Sequence, residues 1–489
     1  MRKDLSVQTL AVLLVPFLLI LTVGGCPWFP DLGNGNQNTN TNTNTNTNTN
    51  ANTSEPNQPV TPGDSGLTGK YVGSARCALC HTNVHRNWSA TLHATALETL
   101  EAIGQGNNSI CLPCHTVGHG EQGGFVSRAL TNALAGVGCE SCHGPGRDHV
   151  ENIEDKTKRP PKSIAADVCG KCHTSEHHPN FEDWEESAHS GIQSSLVTQF
   201  IAGSNALTCG VCHSGDVFVA RLKGETVGQD FLKNKAADDL NPITCAVCHD
   251  PHRKTGNAVE PEDGRDYQLR FAQVKFVTPT NTVAAATDPT RFNLCGQCHH
   301  ARDRVWTDGS REPHPSDQIN VFFGEMPMPA SKPDPIVPSR PSVHLNAAEQ
   351  CSTCHVFRSP FVAGRAPAVS GHTFEVNFEG CVDCHGTADI AKAKFDGLKV
   401  EIDTRVAQLL AALNAWGTAK NIEGKGALSW EYTSEGGPSA GGQNTIPDNI
   451  KKARYLYYYV VQGGGTGVHN PDYVREALVT ALTLAQTAP

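Results

Sequence analysis

Cys139–Glu140–Ser141–Cys142–His143–Gly144–Pro145–Gly146 is the stretch on which the reading of this chain turns. Two thiols stand three positions apart and an imidazole follows the second at once. The same five-residue pattern recurs at Cys77, Cys80 and His81; at Cys111, Cys114 and His115; at Cys169, Cys172 and His173; and at Cys209, Cys212 and His213. It returns at Cys245, Cys248 and His249; at Cys295, Cys298 and His299; at Cys351, Cys354 and His355; and at Cys381, Cys384 and His385. Nine occurrences absorb 18 of the 19 cysteines. Thiols at i and i+3 leave one side of a helical turn together, so both can bond a single flat group whose centre the next histidine then meets. That is the geometry of a covalently attached haem, with thioethers to both vinyl groups and imidazole as proximal iron ligand. Zinc ribbons need pairs of cysteine pairs and give no reason for a histidine after each. A disulfide framework would not repeat one spacing nine times.

Nine haems explain a composition that is otherwise puzzling. In 489 residues only 38% are hydrophobic and 6% aromatic, while Gly and Pro number 46 and 30, too little apolar material for an ordinary core of this length. With about 420 residues available to fold, each haem has about 45 residues around it, so the porphyrins supply the missing interior and must lie close to one another. The net charge of -10 argues against nucleic acid as a partner.

Outside the repeated pattern the chain divides into four stretches. Residues 1–26 read as an export signal, with Arg2 and Lys3 ahead of an apolar run from Leu10 to Val23 that is too short for a bilayer span. Val23–Gly24–Gly25–Cys26 has the form of a lipobox, which makes Cys26 the expected site of lipidation and the membrane anchor. Residues 27–66, with their Asn-Thr alternation, have almost nothing apolar to bury and read as a disordered tether. Residues 67–387 carry all nine patterns among Pro- and Gly-rich connections, which predicts short helices and long ordered loops. Residues 388–489 read as a helical segment packed on that body: Phe395, Leu398, Ile402, Val406, Leu409, Leu410 and Leu413 recur at helical spacing. Ile450 to Val461 repeats the spacing, and Asn470–Pro471 caps a last helix running through Leu484. The fold class is therefore mainly α with extensive ordered loops.

The chain holds 22 histidines, of which nine belong to the patterns. The remaining 13 outnumber Met326 and Met328, the methionines left after export, so a second histidine is the expected sixth ligand at most irons. The favoured distal candidates are His93, His149, His178 (or its neighbour His177), His189, His252, His300, His344 and His372. His85, His119, His314 and His469 stand behind them.

The residues flanking the patterns resemble a known superfamily. Tyr71–Val72–Gly73–Ser74 ahead of Cys77, with Trp88, Ser89 and His93 after it, is similar to the opening of tetrahaem carriers of the hydroxylamine pathway. Cys139 to Gly146, with His149 beyond, resembles a block of the same group. Gly467–Val468–His469–Asn470–Pro471 looks like the ending of large multihaem cytochromes, including pentahaem nitrite reductase and octahaem hydroxylamine oxidoreductase. The chain departs from the nitrite reductases in having no lysine in place of a pattern histidine. The tyrosine that hydroxylamine oxidoreductases crosslink to haem would fall among Tyr455, Tyr457, Tyr458 and Tyr459, which helical packing explains as well.

These readings lead to one principal expectation: nine covalent haems c carry electrons outside the cytoplasm, exchanging them with redox protein partners, with no catalytic residue assigned. The alternatives are an oxidoreductase acting on a small nitrogen or sulfur species at one open haem, and a subunit of an extracellular cytochrome filament.

Overall fold

The structure, a computed structural model, describes residues 67–489 except 262, 273–293, 303, 327–335, 364–365 and 464–466. The proposed signal, Cys26, the tether and Met328 lie outside the described residues.

Each cysteine pattern folds as a single turn of helix or less, because five residues are enough to close one i to i+4 bond. The histidine N–H reaches the carbonyl of the first cysteine at 2.9 Å from His81 to Cys77, 3.0 Å from His173 to Cys169 and 2.9 Å from His249 to Cys245. Short helices such as Cys139–His143, Gly210–His213 and Cys351–His355 hold these turns, and irregular connections join them. Among the described residues only isolated β-bridges occur. The mainly α fold with long ordered loops is thus the one observed. Apolar clusters in this part are small. One gathers Leu97, Leu100, Leu112, Val117, Phe125 and Leu134; another gathers Phe200, Ala206, Val217, Leu232 and Leu240.

The last hundred residues pack differently. The Thr387 hydroxyl accepts from the Ile390 N–H and starts a helix over Ala388–Lys420, which Asn421 ends in the left-handed conformation. Its buried residues Ile402, Leu409, Leu413 and Trp416 fall on one stripe, against which the Asp448–Tyr458 and Pro471–Gln486 helices lie. Asn470 caps the last helix as predicted, accepting from the Tyr473 N–H at 3.2 Å. The penultimate helix stops at Tyr458, earlier than its periodicity suggests, and continues as a wider π-turn over Tyr459–Gly463. This core also draws in Trp306, Val321, Met326 and Val337 from the cysteine-rich part. Asn470 Nδ2 donates to the carbonyls of Val321 and Arg340 at 3.1 and 2.6 Å, and the Tyr455 hydroxyl donates to that of Arg304 at 3.1 Å. Among the described residues no helix is long and apolar enough to cross a membrane.

Candidate haem-binding network

The backbone sets the orientation of the pattern histidines. In His115, His143, His249 and His355 the Nδ1 atom meets a backbone carbonyl, of Ala96, Pro161, Tyr267 and Phe374, at 2.7 to 2.8 Å. A ring that donates from Nδ1 keeps its proton there and leaves Nε2 free as a metal ligand. His344 and His372, which belong to no pattern, are held likewise by the carbonyls of Val468 and Ser370 at 2.9 and 3.0 Å. Burial also favours neutral imidazole. It pushes His249, His189 and His469 down to about 4 and His314 to about 3.

Seven of the nine pattern histidines face a histidine from elsewhere in the chain. The ring centroids are 6.1 Å apart for His173 with His93, His143 with His252, His299 with His189, and His213 with His314. They are 6.2 Å apart for His249 with His372, and 6.3 Å for His385 with His344 and His355 with His469. Ring packing alone would make separation depend on tilt. Here the interplanar angle runs from 11° to 76° while the separation stays between 6.1 and 6.3 Å. Two metal–imidazole bonds of about 2 Å plus two ring radii of about 1 Å span roughly 6 Å, so each gap has room for one iron and suits haem ligated on both faces.

The thiols place the patterns relative to one another. Cys77 of the first lies against Cys139 of the third, and Cys169 of the fourth against Cys245 of the sixth. Cys114 of the second meets Cys172 of the fourth, and Cys212 of the fifth meets Cys298 of the seventh. Cys295 then meets Cys351, and Cys354 meets Cys381. Cys142 acts electrostatically on both fourth-pattern thiols, and Cys248 on both seventh-pattern thiols.

These contacts are those of an internal repeat. Cys114 Sγ approaches the Lys171 carbonyl at 3.7 Å, and Cys212 Sγ the Gln297 carbonyl at 4.0 Å, each one residue before a second cysteine. Trp88 Nε1 donates to the Val137 carbonyl at 3.1 Å, and Trp184 Nε1 to that of Ile243 at 2.9 Å, each two residues before a first cysteine. His93 and His189, five residues after those tryptophans, face His173 and His299, again three patterns apart. Patterns one to three are repeated structurally by four to six.

Of the distal candidates, His93, His189, His252, His344 and His372 face a pattern histidine at the common spacing; His149 and His300 do not. His178 lies 6.3 Å from His173, whose other neighbour is His93, and burial, together with the nearby His115 ring, lowers its proton affinity. His300 Nδ1 accepts from the Arg302 N–H at 3.2 Å, so its proton sits on the other nitrogen. His314 and His469, ranked low from sequence, are among the paired rings. Among the described residues no imidazole pairs at this spacing with His81 or His115.

The conspicuous block at Cys139 also has a structural role. Glu140 is buried and accepts from the N–H groups of Val72, Gly73 and Gly146 at 3.0, 2.8 and 2.7 Å, clamping the entry to the first pattern onto the third. Arg147 donates to the carbonyls of Leu67 and Gly69 and holds the helix bearing His149 against the same entry segment.

Comparison with known proteins fits this geometry. Residues 76–144 match the family Cytochrome c554 and c-prime, and residues 147–260 match domains II/IV of the outer membrane cytochrome MtrC/MtrF-like family. Cytochrome c-554 of Nitrosomonas europaea is 31% identical over 134 residues, which is 21% of this chain and 57% of that one. The C-type polyheme cytochrome OmcC of Geobacter sulfurreducens is 24% identical over 318 residues, 57% of this chain and 37% of that one. The chain thus spans little more than half of these relatives, or less. Among solved structures, the Outer Cell Wall Cytochrome OcwA superposes with a TM-score of 0.55 at 18% identity, covering 86% of this chain and all of that one. The undecahaem S-layer cytochrome of Carboxydothermus ferrireducens gives 0.51 at 20% identity, covering 86% and 70%.

Proposed function

We propose, from the premise that the chain is a multihaem c-type cytochrome of the superfamily it resembles, that it binds nine haems c, nearly all between two histidines, and conducts electrons outside the cytoplasm. The observation that carries the reading is the constant spacing of the seven imidazole pairs. His81, His115 and the other pattern histidines are the proximal ligands, and His93, His189, His252, His314, His344, His372 and His469 the distal ones. Two further assignments complete the set. His178 serves the His115 iron, which its ring already senses. His149, whose buried Nδ1 has no partner and whose helix is fastened beside the first pattern, serves the His81 iron.

The thiol contacts support one route. Electrons pass along patterns one, three, four, six, seven, eight and nine, with the second haem branching at the fourth and the fifth at the seventh. Cys80 and Cys384, in the patterns at the two ends, are exposed, as is Cys142 of the third pattern, so redox protein partners could meet the chain at either end or at the third haem. Export is in keeping with covalent haem c, and with relatives named for an outer membrane and an outer cell wall. A lipid on Cys26, with residues 27–66 as tether, would hold the protein at a membrane.

The test is the mass and paramagnetic signature of the matured protein. Nine haems above the polypeptide, with ferric signals overwhelmingly low-spin, are expected; fewer haems, or several high-spin irons, would overturn the reading. His469→Ala should turn one iron in nine high-spin, whereas His300→Ala should leave the spectrum unchanged. A second reading, an oxidoreductase working at one open iron, draws on the lack, among the described residues, of a paired ring at His81 and His115. It predicts a high-spin signal of one or two irons that cyanide converts to low-spin in the unmodified protein.

A further inference from the structure

The contacts between patterns repeat along the chain, and at two places the repeat is incomplete. The second pattern meets the fourth through their second cysteines, Cys114 and Cys172, and the fifth meets the seventh in the same way through Cys212 and Cys298. The approaching sulfur also rests on the carbonyl just before the covered cysteine, that of Lys171 or Gln297. The first and ninth patterns hold the same place in the array as the fourth and seventh. Cys77 meets Cys139 as Cys169 meets Cys245, which makes the first the counterpart of the fourth. Cys295 meets Cys351 in that same manner, and Cys354 then reaches Cys381 as Cys142 reaches Cys169, so the ninth follows the eighth as the fourth follows the third. Yet among the described residues no thiol of another pattern meets Cys80 or Cys384, and both are exposed. Cys142 is exposed as well, but its pattern is the counterpart of the sixth, which takes no branch.

The rims of these two uncovered edges carry opposite charge. Residues 72–97 contain no Asp or Glu, and Arg76 and Arg86 are exposed there beside Leu79 and Val84, which are 47% and 48% exposed. Residues 375–391 contain no Lys or Arg, and Glu375, Glu379, Asp383 and Asp389 are exposed there beside Val376 and Ile390, which are 41% and 48% exposed. The bases that follow leave this acidic rim uncancelled, for Lys392 is paired with Asp396 at 2.6 Å and Lys394 lies against His385 Nδ1 at 3.2 Å. Rims of opposite sign around apolar residues attract and orient two surfaces. Without such local attraction, copies of a chain with a net charge of -10 would repel one another.

We propose that the basic edge of the first pattern in one copy docks on the acidic edge of the ninth pattern in a second copy, second cysteine against second cysteine, as in the two internal branch contacts. The inference rests on the haem assignment above. The occupant is a second copy because the chain itself presents the complementary edge, with the matching charge and the matching uncovered cysteine. The two surfaces differ, so the contact is heterologous and adds copies in a row. An electron crossing it turns one ferrous iron ferric and the facing ferric iron ferrous, with no further reactant. The proposed internal route would thus continue from the ninth haem of one copy to the first of the next.

Sedimentation velocity of the haem-loaded full chain tests this. The wild type should associate at low salt and dissociate as salt screens the rims. Arg76→Glu with Arg86→Glu should abolish association, and so should Glu379→Lys with Asp383→Lys, while an equal mixture of the two variants should associate again, a rescue that misfolding would not give. A wild type that is monomeric at low salt, association that survives both reversals, or a mixture that stays monomeric would overturn the proposal. Amide exchange of the wild type gives a test free of any variant: association should slow exchange in residues 76–89 and 375–390, and slowing confined to other segments would overturn it. A chain that stays monomeric yet binds a small basic cytochrome c at the ninth edge would replace the second copy with a foreign partner and overturn the proposal equally. Protein that matures without haem would instead defeat the proposed function, so the two failures are distinguishable.

Discussion

The cysteine-rich part and the C-terminal helices solve the same problem by opposite means. In the last hundred residues the interior is made of side chains: Leu409, Leu413, Tyr455, Leu456, Tyr459, Tyr473, Val474 and Ala477 are buried in one cluster. Even its deepest cation is held on several sides, for Arg454 donates to the Trp430 and Glu431 carbonyls and to Gln443 Oε1, and lies over the Tyr432 ring at 3.8 Å. Across the cysteine-rich part the clusters are small, and apolar residues such as Ile110 and Leu130 stay 64% and 73% exposed. A chain that leaves its apolar residues outside while lining its interior with thiols and neutral imidazoles is built around a guest. We infer that the larger part depends on its haems more than the helices do.

The largest effect should come from withholding them. When the full chain is made without haem attachment, amide hydrogens of residues 67–300 should exchange almost as in an unfolded chain, while those of the Ala388–Lys420 and Pro471–Gln486 helices stay protected. Comparable protection in both regions would show that the cysteine-rich part has a core of its own. Next in size is the reverse perturbation. Leu456 is fully buried, and Leu456→Ala should remove about 2–5 kcal/mol from the helical unit, seen as a lower melting point by circular dichroism with an unchanged Soret band. A parallel loss of the Soret band would mean that the haems depend on the helices.

The attachment sites proposed here were legible in sequence because thioether chemistry is local: five residues specify one haem wherever they fall. The long helix was legible for a similar reason, as its apolar stripe repeats within a few turns. The ligand pairs were only partly legible, because they join distant segments. His469 lies 114 residues from His355, and the Gly467–Pro471 block around it pointed to a family ending without pointing to that ring. His314 was equally silent. The internal repeat did leave a trace, since Trp88 and His93 have the same spacing as Trp184 and His189. The branching order had none, because thiol contacts between patterns appear only in three dimensions. The π-turn at Tyr459–Gly463 also escaped periodicity, which marks the buried face of a helix and not a change in its hydrogen-bond register.

Within the cysteine-rich part, polar clamps do some of the work that apolar packing does in the helices. Glu140→Gln would replace one acceptor oxygen by a donor facing the N–H groups of Val72, Gly73 and Gly146. A loss of about 1–3 kcal/mol is expected, confined to the entry segment and detected as faster proteolysis near residue 70 with all haems retained. Unchanged proteolysis would assign the holding of that segment to the haem.

The smallest effect concerns a carboxyl in the helical unit and sharpens the contrast from the other side. Burial raises Glu431 to about 7, although it accepts from the Tyr458 hydroxyl at 3.0 Å and lies near Arg454. An unfolded glutamate titrates at about 4.3, so between those values the folded protein binds more protons than the unfolded one. Stability must then fall as pH rises through that window and level off above about 7. Melting of the helical unit should therefore shift down between mildly acidic and neutral pH in the wild type, and Glu431→Gln should flatten the trend. If the variant kept the wild-type slope, the pH response would have to come from a group other than Glu431 and other than the imidazoles proposed as iron ligands. Once bound to iron those rings no longer titrate in this range, so a pH response confined to the helices is what separate stabilisation of the two regions requires.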